Sequence, residues 1–265
     1  MRQRATPFLA GLLIGALLAA PTLGQVDPEF ERILVPVFTV YPLAGARGSL
    51  WQTDLWIRNN GPEPVRIYGY DYWGCSMTPC PLLPGAPPAR PFAAFRPVAV
   101  SRFLMVERAR AGQVSINLRV VNLSSRDVSE GTEIPTPREW EFRAGVTALM
   151  NVPTASSFRR VLRIYSGDAD RGGEVVVRVR GANPAWRNPD FGAGRDPLLG
   201  ETSVFLSPGR FEPPSTEMTQ LPGIDSPQYE RVTVLIEPVS PDLRIWAFLS
   251  LVHNETQQLT VVSPQ

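Results

Sequence analysis

A period of two runs along this chain and constrains its fold more than any other feature. In residues 53–58, Thr53, Leu55 and Ile57 fall on one face, and Asp54, Trp56 and Arg58 on the other. Residues 65–72 repeat the pattern, with Val65 and Ile67 against Arg66, Tyr68, Tyr70 and Tyr72. Residues 113–121 do so again through Val114, Ile116, Leu118 and Val120, and residues 33–40 form an apolar run. Successive side chains of a strand point to opposite faces, so such a segment buries one side of a sheet. Pro and Gly interrupt the windows in which a helical stripe would need several turns. The 28 Pro and 21 Gly accompany 43% hydrophobic residues, which fits short strands joined by tight turns and not a disordered chain.

The second half restates the first. At an offset of 107, Trp51 meets Phe158, Leu55 meets Leu162 and Ile57 meets Ile164. Each of these strands runs into a turn, at 59–64 and at 167–173, and then into another alternating strand. At an offset of 131, Val114, Ile116, Leu118 and Val120 meet Ile245, Ala247, Leu249 and Leu251. Two copies of about a hundred residues with roughly seven strands each predict two tandem immunoglobulin-like antiparallel β-sandwich domains. Gly131, Pro135 and Pro137 place the boundary, giving domains at 25–135 and 136–265. Just beyond it, Trp140 and Phe142 alternate with Glu139, Glu141 and Arg143, which reads as a strand opening the second domain or packing across the junction.

Residues 1–24 have the order of a signal peptide: Arg2 and Arg4, an apolar run over 7–20, then small residues before Gln25. The run is shorter than the roughly 20 residues of a membrane span, and no later run reaches that length. The expectation is a secreted or periplasmic protein with no membrane span after cleavage; the competing reading is that residues 1–24 stay in place as an uncleaved N-terminal anchor. Without residues 1–24 the chain carries 24 basic and 25 acidic residues, a balance with no electrostatic footprint for nucleic acid. Cys75 and Cys80 are the two cysteines; in an oxidising compartment they are expected to form a disulfide that shapes a local loop. A zinc site lacks partners, since His253 is the single histidine.

The candidate binding residues are aromatic. If 53–58 and 65–72 form a hairpin, Trp56, Tyr68, Tyr70 and Tyr72 share its outer face, with Trp73 just beyond. Stiff amphipathic rings suit stacking on a sugar or anchoring a protein partner. The competing reading is that residues 79–97 or the second domain cover this face. Asp168 and Asp170 have calcium-loop spacing, but Gly172 and Val179 stand where further ligands belong, so a hairpin turn is expected instead. His253 reads as a polar turn residue, with no Gly-x-Ser-x-Gly elbow or thiol beside it. Glu139 and Glu141 share a strand face if that segment is a strand. Asn122 and Asn254 fit the glycosylation acceptor pattern at strand ends. No cofactor or metal is expected.

The 131–135 junction, the 151–165 segment and the closing 254–264 stretch resemble exported bacterial proteins built of tandem immunoglobulin-like modules, a likeness spanning nearly all of the chain after residue 24. It implies a fold and no activity. The layout is also similar to two-domain periplasmic pilus chaperones, whose anchoring Arg–Lys pair has no counterpart here, because all 26 basic residues are Arg. The expected function is a non-enzymatic binding, adhesion or structural module with a protein or glycan partner. The alternatives are a structural or chaperone-like part of an envelope assembly, and a carboxylate-dependent hydrolase.

Overall fold

The computed structural model describes residues 27–39, 41–69, 79–85, 100–124, 131–168, 171–182, 196–207 and 213–264. The described residues are all-β, in four antiparallel four-stranded sheets with no closed barrel among them. The first half contains β1 (Phe30–Phe38), β2 (Leu43–Ala44), β3 (Leu50–Asn59), β4 (Val65–Gly69), β5 (Cys80–Leu82), β6 (Val100–Glu107), β7 (Val114–Asn122) and β8 (Thr132–Ile134). One sheet runs β1-β6-β4-β5 and the other β2-β3-β7-β8. The second half contains β9 (Thr147–Pro153), β10 (Phe158–Ser166), β11 (Gly173–Gly181), β12 (Leu198–Leu206), β13 (Ser215–Met218), β14 (Arg231–Pro238), β15 (Ile245–His253) and β16 (Leu259–Val262). Its sheets run β12-β11-β14-β9 and β13-β10-β15-β16.

The alternation places side chains as expected. Leu55, Ile57, Val65, Ile67, Leu162 and Ile164 are all buried. Each half closes like a sandwich: Ile57 and Val114 from one sheet meet Val65, Ile67 and Leu104 from the other, while Leu162 and Leu249 meet Val177 and Val234. The internal repeat holds down to strand register. Leu55 pairs with Leu118 as Leu162 pairs with Leu249, and Ile57 with Ile116 as Ile164 with Ala247.

The hairpins expected at the two turns do not form. β3 and β4 lie in opposite sheets, as do β10 and β11, so each turn is an arch across the sandwich. Period two says which face a residue takes but not which strand it pairs with. The first arch is pinned by Asn59, whose side-chain amide donates to the carbonyls of Glu63 and Leu82 while its oxygen accepts from the Gly61 N–H. A Cβ at Gly61 would collide with the Gln113 side chain.

A third buried cluster joins the halves. Leu34, Phe38 and Phe103 of the first pack with Phe142 of the connection and Tyr165, Trp246 and Phe248 of the second. The Tyr165 and Phe248 rings stack at 6.4 Å, and Trp246 lies 5.4 Å from Phe248. The buried Tyr165 hydroxyl donates to the Pro36 carbonyl at 2.6 Å. Burying one such side chain contributes roughly 1.5–3 kcal/mol, so a cluster of six buried aromatics binds the halves into one body. The connection adds backbone pairing. The Leu34 N–H donates to the Pro137 carbonyl at 2.8 Å, and Ile33 and Arg138 form an antiparallel bridge on the free edge of β1.

Candidate functional site

Of the five expected aromatic residues, Trp56 and Tyr68 are described, and these two do not share a surface. Trp56 lies on the outer face of β3, across the strand pair from Asn117, and its indole N–H donates to Asp54 Oδ2 at 2.7 Å. Tyr68 lies on the outer face of β4, in the opposite sheet, edge-on to Phe30 at 4.8 Å. Both are half-buried. The two faces point away from each other across the first sandwich, because the arch replaces the expected hairpin. Tyr70, Tyr72, Trp73 and Cys75 lie outside the described residues. Cys80 opens β5 opposite Ile67 and packs on the first core; its pairing with Cys75 therefore also lies outside them.

The aromatic group that most stands out is at the junction. Residues 139–141 form a 3-10 turn, not a strand. Phe142 turns into the core shared by the two halves while Trp140 is 70% exposed. The turn is clamped on both sides of Trp140. Glu141 accepts from the Arg138 N–H at 2.8 Å. Glu139 accepts from the Arg108 guanidinium and from the Arg32 N–H, the latter at 3.3 Å. Arg108 is itself held by the carbonyls of Pro28 (3.0 Å) and Phe30 (2.7 Å). Behind the turn, Glu31, 6% exposed, pairs with Arg138 at 3.0 Å, and Arg138 also donates to the Ala111 carbonyl at 3.0 Å.

Burial pushes the Glu139 carboxyl up, but the Arg108 hydrogen bond, the Arg32 N–H and the charges of both arginines outweigh it and hold the group below the usual carboxylate range. Glu107 is also lowered, first by the Arg66 N–H and then by the Arg66 and Arg110 guanidinium groups. The side chains of Glu139 and Glu141 thus fix the turn through the hydrogen bonds they accept. A sequence reader has little means of seeing this: over five residues, alternation and a tight turn look alike, and the clamping arginines come from β1 and the 108–113 turn.

His253 ends β15 and caps a turn. Its Nδ1 accepts from the N–H groups of Glu255 (3.4 Å) and Thr256 (3.3 Å), and its ring lies edge-on to Phe158. The Asp168 N–H is taken by Ser166 Oγ at 3.0 Å, whereas Asp170 lies outside the described residues. Among the described residues no group of three or more His, Cys, Asp or Glu is placed to hold a metal ion, and no helix is long and apolar enough to cross a membrane. No family model, curated relative or solved structure matches the chain.

Proposed function

We propose that this is an exported, non-enzymatic binding module in which two immunoglobulin-like sandwiches act as one rigid body toward a protein or glycan partner outside the cytoplasm. Strand pairing supports the immunoglobulin-like reading. Chains of partners β1-β6-β4 and β3-β7-β8 in the first half, and β9-β14-β11 and β10-β15-β16 in the second, follow the B-E-D and C-F-G pairings of that fold. The order of residues 1–24 supports export.

Trp140 carries the binding reading. An exposed indole on a turn tied at both flanks loses little further freedom when a partner covers it, and Trp is the residue type most enriched among interface hot spots. Trp140→Ala is expected to weaken the partner signal by about thirtyfold, the equivalent of roughly 2 kcal/mol, on a glycan array or in binding to an identified partner protein. Its melting temperature should match the wild type. Unchanged binding in this variant refutes the assignment.

A second reading, a subunit of a larger envelope assembly, is favoured by β12. It is a nine-residue strand at the edge of its sheet, with Leu198 and Phe205 exposed at 49% and 59%. Long edges of this kind pair with other chains. Light scattering coupled to size exclusion should then report an oligomer; a monomer at high concentration removes this reading.

A further inference from the structure

The second sandwich opens along one side, where the edge strands β12 and β13 of its two sheets meet, into a cavity of about 560 Å³. That is within the usual range for small-molecule sites. Its floor is apolar: Leu221 and Ile224 are buried members of the core, and Met218 packs on it. Residues 221–224 close one end by riding directly on β12. A Cβ at Gly200 would collide with the Pro222 carbonyl, and Gly223, at φ +71°, lies as close to the Leu199 carbonyl.

The ionic groups around the cavity are already matched. Arg160 donates to the carbonyls of Pro153 (2.8 Å) and Ala155 (2.6 Å) and to Asp225 Oδ1 (3.1 Å). Glu201 is taken by Arg178 at 2.5 Å. What remains on the wall is neutral. Thr202, Thr219 and Gln220 line the cavity, Thr219 and Gln220 as exposed residues, and none of their side chains hydrogen-bonds elsewhere among the described residues. Hydroxyl and amide groups each donate and accept, which matches ligand hydroxyl groups, while the apolar floor matches C–H faces. Among the described residues that line it, a charged ligand finds no unmatched counter-ion.

We propose that this cavity is a binding site for a neutral polyhydroxylated ligand, a sugar residue held by Thr202, Thr219 and Gln220 over Met218, Leu221 and Ile224. The site is separate from Trp140 and stands or falls independently of it. The test is saturation-transfer NMR and calorimetry on the full chain. The probes are glucose, galactose, mannose and N-acetylglucosamine as neutral sugars, with glucuronate and glucosamine as charged ones. At least one neutral sugar should bind at millimolar concentration or better. Gln220→Ala and Thr202→Val should each weaken that binding by about tenfold; if either fails to fold, Thr219→Val replaces it. Binding of the charged sugars alone, no binding of any neutral sugar at millimolar concentration, or variants that bind as the wild type does would overturn the proposal while leaving the Trp140 reading intact.

Discussion

The same outer face occurs twice in this molecule and meets two fates. In the first half the outward positions of β3 and β7 include Trp56, Arg58, Ser115 and Asn117. At the matching register in the second half stand Arg163, Tyr165, Trp246 and Phe248. The first set is polar apart from Trp56; Arg58 and Ser115 are exposed, and Trp56 and Asn117 are half-buried. In the second, Tyr165, Trp246 and Phe248 are all under 5% exposed, covered by the first half. Both inward faces are apolar, as each sandwich requires. The inner pattern makes a sandwich; the outer pattern decides whether it docks.

The largest expected effect comes from erasing the difference. Trp246→Ser with Phe248→Asn gives the second half the first half's residues. Loss of a single buried aromatic costs about 3–5 kcal/mol, so the double variant should lose at least that much and show two calorimetric transitions where the wild type shows one. One transition at the wild-type temperature would break the comparison. The converse transplant, Ser115→Trp with Asn117→Phe, builds a docking face with nothing to dock on. It should self-associate in light scattering, and a monomer would show that two aromatics are not enough.

Smaller effects sharpen the picture. Tyr165→Phe removes the bond to Pro36 and should cost about 1 kcal/mol in urea denaturation. Arg58→Ala, at the equivalent exposed position, should stay within about 0.5 kcal/mol. Acid should loosen the junction. Glu139 and Glu107 are held below their ordinary values in the folded chain, so the stability they add is complete above that range, near 4.3 for Glu. It is lost as pH falls through their lowered values. The exposed partner Arg66 keeps the Glu107 share small. Glu139→Gln should therefore flatten the acid limb of a stability–pH curve; an unchanged limb would mean the clamp contributes nothing there.

Much of this was legible in the residues. Period two found β1, β3, β4, β7, β10, β11 and β15 with their buried members, though not the other strands, and the offsets of 107 and 131 found a repeat that survives to the pairing of Leu55 with Leu118 and Leu162 with Leu249. Partner choice was not legible, because arches and hairpins carry the same turn residues. That is why Trp56 and Tyr68 were expected on one surface and lie on two. Trp246 and Phe248 were also hidden: β15 is buried from Ile245 to Leu251, so its inner and outer rows are both apolar and only the other half explains the outer one. The cavity between β12 and β13 rests on the approach of two edges in different sheets, and no local signal marks it.

The bridge between Ile33 and Arg138 has a temporal consequence. A chain made from its N-terminus presents β1 early, yet the residues that shield its outer margin are synthesised more than a hundred positions later. Until they arrive the nascent first half carries a bare strand open to stray pairing. A fragment ending at residue 135, the apparent boundary, would keep that vulnerability for good, whereas one extended through Phe142 would carry its own shield.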